Sequence, residues 1–357
     1  MTKFIQLHAL TVYAPSNLNR DDTGRPKTAK FGGVERLRIS SQALKRAIRT
    51  SANFRERLAG NLGERTQRLG DIIGAHLKKG GVEDAKALEV TRLVAGAFGK
   101  IEDAKDKPQT FIKQLAFISP EERIAAIDLA DKLVAEGADS VKKEDLAGKL
   151  LRRADTAADI AMFGRMLADN PDYNREAAVQ VAHAITTHKV DVEDDFYTAV
   201  DDLKTSAEDA GAGFIGELGF GSGVFYLYAC IDRELLVKNL GGDKALGRKA
   251  IEAFVEGFAT ARPNGKQNSF AAHARANYLR VEKGAQQPRS LAAAFFRPVW
   301  GEDLLNGSVA ALEGKAGLIE QMNAVYGACY DDAYELRCLP GKPYEGTLAH
   351  AIKFASE

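Results

Sequence analysis

The chain has 357 residues, of which 45% are hydrophobic and 27% charged, and its 49 basic and 49 acidic side chains cancel. Such a length suits about two domains, and the composition excludes long disorder and any apolar run of about 18 residues that could cross a membrane. The zero net charge hides an asymmetry: residues 1–49 hold ten basic and three acidic side chains, net +7, whereas residues 189–209 hold two lysines and eight acids, net −6. One end is therefore suited to a polyanion and another segment to a basic partner.

Residues 4–12 are apolar at both odd and even positions, which predicts a central strand. Residues 14–35 are polar and punctuated by Pro15, Gly24, Pro26, Gly32 and Gly33, and read as a long functional loop. Leu37–Ile39 reads as a short strand. Ser40-Ser41 then starts a helix expected over 41–58. Residues 60–155 change texture to Ala, Lys and Glu at helical spacing, and Ser119-Pro120-Glu121-Glu122 forms a capping box. This stretch is expected to be a helical insertion between strands. Val179 to His188 alternates with strand period, and an acidic stretch, 191–209, follows. The glycine-rich 211–223 reads as a loop returning to a buried strand at 224–229. A helix is expected over 243–260, a turn at Asn264-Gly265, a strand at Ser290–Phe296 and helices over 302–328. Strands and helices in this order define an α+β class.

Most local motifs resolve to bland readings. Gly219-x-Gly221-x-Gly223 runs into a strand, whereas a dinucleotide loop opens a helix. His183 and His188 are five apart on a strand, so they cannot chelate one ion together. Cys230, Cys329 and Cys338 contain no Cys-x-x-Cys pair, which disfavours a disulfide framework and a zinc ribbon. Asp21-Asp22 could hold a divalent ion, but a turn cap or salt bridge beside Arg20 and Arg25 is the stronger reading. No cofactor or metal is expected. The start, Met1-Thr2-Lys3-Phe4-Ile5-Gln6, turns polar too early for a secretory signal, so a cytoplasmic location is expected.

The informative signal is a basic helix face. Gln42, Lys45, Arg46 and Arg49 follow i, i+3, i+4, i+7 with no acid among them. The preceding segment adds Arg20, Lys27, Lys30, Arg36 and Arg38. Solvated faces normally mix signs. Ser40 and Ser41 stand at a helix N-terminus, where free N–H groups suit a phosphate. Hydroxyl, amide and cationic groups together hold a sugar-phosphate backbone without reading bases.

These residues also carry a resemblance. Ser16-Asn17-Leu18-Asn19-Arg20-Asp21-Asp22, Phe31-Gly32-Gly33 and Arg38-Ile39-Ser40-Ser41-Gln42-Ala43-Leu44-Lys45-Arg46 resemble the CasC family. So do Gly164-Arg165-Met166, Ala182-His183-Ala184-Ile185-Thr186-Thr187-His188, Thr198-Ala199-Val200-Asp201-Asp202-Leu203, Ser222-Gly223-Val224-Phe225-Tyr226 and Gly265-Lys266-Gln267. CasC proteins are backbone subunits of type I-E CRISPR surveillance complexes (Cascade). The resemblance implies a modified RRM or ferredoxin-like palm at 1–59, 156–190 and 223–357. It implies a helical fingers domain at 60–155 and a thumb loop or hairpin at 191–222.

The resemblance further implies a non-catalytic scaffold. Copies would stack head-to-tail along CRISPR RNA, hold its phosphates and leave its bases free to pair with target DNA, beside other Cascade subunits and away from membranes. RNA-binding roles carry over to Arg20, Lys27, Ser40, Gln42, Lys45, Arg46 and Arg49. Met166 would pack against bases, and Thr198 and Ile215 would lie near a displaced base in the thumb. Phe196-Tyr197 stands where relatives can have Trp-Phe, which keeps an aromatic pair. The acidic thumb residues, Asp201 and Asp202 among them, are expected to position the thumb against basic groups of the palm or of a neighbouring copy. Two other functions compete: a metal-dependent ribonuclease using Asp21/Asp22, as in backbone subunits of related type III systems, and a basic protein-interaction module that never touches RNA.

Overall fold

The computed structural model describes residues 2–104, 106–199, 214–314 and 316–357. The strands are β1 (Phe4–Ser16), β2 (Thr28–Phe31), β3 (Val34–Ile39), β4 (Glu64–Thr66), β5 (Ala116–Ile118), β6 (Val179–Val181), β7 (Ala184–Thr186), β8 (Glu193–Ala199), β9 (Phe214–Asp232), β10 (Ala276–Gly284) and β11 (Asp332–Arg337). The chain divides into two compact units. One comprises Met1–Phe54, Val181–Cys230 and Phe254–Glu357, and the other Arg55–Gln180 with Ile231–Ala253.

The first unit is built on a sheet with strand order β11-β10-β1-β9-β7-β3-β2. Within it, β10-β1-β9-β7 is the spatial order of a ferredoxin-like fold: four strands met along the chain as β1, β7, β9 and β10 lie as 4-1-3-2. The helix α1 (Ser41–Thr50) lies between the first and second of these strands along the chain, and Lys244–Thr260 between the third and fourth. The α+β class with a ferredoxin-like strand order is thus observed. β1 is central because both of its faces are buried, from Ile5 to Leu10. Its Leu10 joins Tyr226, Tyr278, Leu291 and Phe295 in one core cluster, and Ile5, Leu7 and Ala9 are also fully buried. Its buried polar residues are matched in kind. His8 Nδ1 lies 2.8 Å from the Tyr226 hydroxyl, and Gln6 Oε1 accepts from Tyr228 at 3.1 Å and from the Arg289 N–H at 2.8 Å. The Tyr226 hydroxyl also accepts from the Leu291 N–H at 2.9 Å. Burial holds the His8 ring below the usual histidine pKa although Glu282 stands beside it.

The second unit is mainly helical, with a core of Leu69, Ile73, Val90, Val94, Leu129 and Leu133 among others. The capping box expected at Ser119 is present: Ser119 Oγ accepts from the Glu122 N–H at 3.2 Å, and Glu122 returns the bond to the Ser119 N–H at 3.0 Å. Glu122 does more than cap. It is fully buried and pairs with Arg165 at 2.6 Å.

Several expected elements change. The helix over 41–58 is two helices, α1 and Ala52–Arg57, because Ser51 caps the end of the first, its hydroxyl donating to Ile48 O at 2.8 Å and accepting from the Phe54 N–H at 3.4 Å. Part of the expected loop over 14–35 is strand: β1 runs on to Ser16 and β2 pairs with β3. Residues 214–223 continue β9 and are not a loop. Their glycines mark close approach, since a Cβ at Gly221 would stand 2.8 Å from Leu37 Cδ1 and one at Gly223 2.6 Å from His188 Nε2. The alternation at 179–188 resolves into the short strands β6 and β7. Ala292–Phe295 is a 3-10 turn, where a strand is expected, because Ser290 Oγ accepts from the Ala292 N–H and starts a local turn in an alanine run. Among the described residues, no helix is long and apolar enough to cross a membrane.

Candidate nucleic-acid interface

The interface begins at α1. Leu44, Ala47 and Ile48 are buried, which fixes the rotation of the helix and turns Gln42 and Arg46 outward, with Lys45 and Arg49 half-buried. The Ser40 side chain accepts from the Ala43 N–H at 3.3 Å, and the Ser40 N–H donates to Asn19 Oδ1 at 2.8 Å. The helix start is thereby tied to the segment that carries Arg20. Arg20, Lys27, Lys45 and Arg46 make no ion pair among the described residues. Desolvation without a carboxylate partner holds Lys45 below the usual lysine pKa. An incoming phosphate would repair that deficit.

Two of the basic residues expected here do other work. Arg36 is fully buried, and its guanidinium donates to the carbonyls of Thr186 at 3.0 Å, Phe295 at 2.8 Å and Phe31 at 3.3 Å. It is a clamp between strands and loops, not part of the exposed basic surface. Arg38 shares a hydrogen bond with His183 Nδ1 at 3.0 Å. His188 accepts from the Val224 N–H at Nε2 (3.1 Å) and donates from Nδ1 to Lys189 O (2.9 Å), which defines a neutral ring. The two histidines thus serve different neighbours.

The segment after β1 forms one wall of a cleft of about 500 Å³ lined by Arg20, Arg25, Glu217, Gly219 and Lys266, among others. Asn17 is fully buried and its amide donates to Gly24 O at 2.9 Å and Gly219 O at 2.8 Å, stitching the loop to β9. Asp21 Oδ1 accepts from Thr23 N–H, Thr23 hydroxyl and Arg25 N–H at 2.8–3.0 Å. The Thr23 hydroxyl first, and the backbone donors after it, hold the Asp21 carboxyl below its usual pKa. Asp21 is therefore a turn cap.

β8 and β9 extend from this cleft as a hairpin whose first strand is exposed throughout. Thr198 and Ile215 are cross-strand partners. Alternation places them on the same face as Asp194, Glu217 and Gly219, at the cleft end of the hairpin. Asp194 pairs with Arg25 at 2.8 Å, so one acid of the net-negative segment meets a basic group of its own chain. Asp201 and Asp202 lie outside the described residues. Phe196, Tyr197, Phe214 and Ile215 are all largely exposed.

Met166 belongs to the second unit and is 81% exposed, between the buried Arg165 and Leu167. Its backbone is held firmly. Arg165 exchanges backbone hydrogen bonds with Arg175 at 3.0 and 2.9 Å, and the Leu167 N–H donates to Asn174 Oδ1 at 2.6 Å. Arg165 pairs with Glu122, and Arg175 with Asp155 from Nη1 at 2.7 Å, all four side chains being buried. An apolar side chain on a fixed mount, out in solvent, is not a core residue.

Sequence reasoning alone passes over Glu217 and the Arg25–Asp194 pair, and treats Asn17 and Gly265-Lys266-Gln267 only as parts of motifs. Fold and site together define one unit with a ferredoxin-like sheet, a basic cleft and an exposed pair of strands, and a second, mainly helical unit. The chain belongs to the CT1975-like protein family, whose model matches residues 5–337. A solved chain titled "CRISPR RNA-guided surveillance complex, pre-nicking" is similar at 29% identity, with a TM-score of 0.84 over 99% of both chains. A second, titled "CRISPR RNA-guided surveillance complex", shares the fold at 24% identity and a TM-score of 0.73, over 99% of this chain and 100% of that one. No curated protein gives a significant match. The CasC resemblance drawn from the motifs agrees with the family and with these folds.

Proposed function

We propose that this chain is a subunit of a CRISPR RNA-guided surveillance complex, and within it the non-catalytic backbone protein that holds guide RNA by its phosphates. In this reading copies stack head-to-tail in a type I-E assembly, beside other Cascade subunits in the cytoplasm, and the spacer bases stay free to pair with target DNA. The observation that carries it is the set of four cations, Arg20, Lys27, Lys45 and Arg46, that make no ion pair among the described residues, beside a capped helix start. Groups of this kind position a backbone without specifying sequence. The exposed Met166 and the Thr198–Ile215 face supply apolar surface for bases. The similarity to a surveillance-complex chain over 99% of both lengths supports the wider assignment.

The ribonuclease alternative on Asp21/Asp22 is the less favoured one, since Asp21 already serves three donors of its own turn. The test is co-expression with a CRISPR RNA. Purified protein should show a nucleic-acid-like ultraviolet absorbance ratio, and its assemblies should fall apart under ribonuclease. Protein free of RNA and assemblies resistant to ribonuclease would overturn the reading in favour of a protein-interaction module. Regular magnesium-dependent cuts in a complementary RNA that vanish with Asp21→Ala or Asp22→Ala would instead establish the enzyme.

A further inference from the structure

The cleft at the root of the β8–β9 hairpin has a composition that phosphate binding alone does not explain. Arg20 and Lys266 enter it as cations without ion pairs among the described residues, and Glu217 enters it as an exposed carboxylate. A carboxylate beside a phosphate path is repulsive, so its presence calls for a donor on the ligand. Single-stranded RNA offers one that DNA lacks, the ribose 2′-hydroxyl.

Both walls are pre-set. Asn17 ties the loop to Gly219, and Arg25 is tied to Asp194. On the other side Gly265 packs so closely on the preceding segment that a Cβ there would stand 2.2 Å from Leu18 O. Lys266 follows in the left-handed region, at φ 50°. A residue other than glycine held there marks a backbone the surroundings dictate, and here it delivers the lysine to the cleft.

Resting on the RNA-binding reading above, we infer that this cleft is a sugar-selective nucleotide subsite in which Arg20 and Lys266 take a phosphate and a Glu217 carboxylate oxygen accepts a hydrogen bond from the 2′-hydroxyl. The subsite makes the protein prefer RNA to DNA by a contact to the sugar, without reading a base. Lys266 contributes affinity for either strand, and Glu217 contributes the preference.

The experiment measures binding of the full chain by fluorescence anisotropy to an oligoribonucleotide, its DNA counterpart and its 2′-O-methyl counterpart. The unaltered protein should favour RNA by about tenfold, the worth of one charge-assisted hydrogen bond, and the 2′-O-methyl strand, which has lost the donor, should bind like DNA. Glu217→Ala should bring the RNA-to-DNA ratio close to one, with DNA binding held or improved as the repulsion goes. Lys266→Asn, which tolerates a left-handed backbone, should weaken RNA and DNA by the same factor and lower the salt slope by about 0.7. Both side chains are exposed, so neither variant threatens the fold. RNA binding without preference, or a ratio unmoved by Glu217→Ala, overturns the inference and leaves the RNA-binding reading intact. Absence of any RNA binding by the unaltered chain overturns both.

Discussion

Truncation of Met166 separates a base-packing role from a structural one, and the same segment supplies its own control. Met166 is 81% exposed, whereas Met162, four residues earlier in the helix Ala158–Phe163, is 0% exposed. Fully burying a methionine side chain is worth about 1.5–3 kcal/mol. The fold already uses about a fifth of that at Met166, so Met166→Ala should cost about 0.5 kcal/mol and lower the melting temperature by about 1–2 °C. The remainder, about 1–2.5 kcal/mol, becomes available when a base covers the side chain, and its loss corresponds to roughly 5- to 60-fold in affinity per site. Met162→Ala leaves a cavity and should cost about 2–5 kcal/mol, or roughly 4–20 °C of melting temperature. Thermal melting and RNA binding are measured on both variants. If Met166→Ala melts as low as Met162→Ala, or melts normally and binds guide RNA undiminished, the packing role is wrong.

The basic stripe makes a second prediction: Lys45→Ala with Arg46→Ala should reduce the salt slope of RNA binding by about 1.4, two phosphate contacts at about 0.7 each for a single strand, and an unchanged slope rejects the stripe as the backbone contact. Arg36→Met should do the reverse, leaving the salt slope alone but costing about 2–4 kcal/mol in denaturation because three buried carbonyls lose their donor. Acidification should destabilise the protein. Burial lowers the pKa of His8 and His188 in the folded chain, so the unfolded chain takes up protons first as pH falls through about 6.5. The stability is fully present above that value and lost below it; a melting temperature that is flat from pH 7 to 5 contradicts this account.

Part of the candidate interface is legible in the sequence because it is local. The i, i+3, i+4, i+7 spacing at Gln42, Lys45, Arg46 and Arg49 puts those residues on one helix face whatever the tertiary setting. The Ser40 cap and the Ser119 capping box likewise depend on residues within one turn, and both are observed. β1 was legible because apolar residues on both faces require burial on both sides. The glycine-rich segment misled because glycine usually marks a turn, while here Gly221 and Gly223 make room for Leu37 and His188 from other strands.

Charge in the sequence does not say which cation is the exceptional buried one, and this is where tertiary structure decided the outcome. Arg20 and Arg36 are alike in the sequence, both basic residues ahead of the same helix. One is exposed at a cleft, and the other is sealed against three carbonyls drawn from residues 31, 186 and 295. Met162 and Met166 differ in the same way within five residues, because Gly164 ends the helix at φ 79° and Arg165 is drawn inward by Glu122. The sequence by itself determined the helix faces, the caps, the central strand and the family, since these follow from neighbours in the chain and from residue order. Only the fold decided which cations remain for a ligand and which carboxylate joins them in the cleft, since hydrogen bonding and desolvation depend on groups far apart in the chain, as Arg36 and Phe295 are at 259 positions.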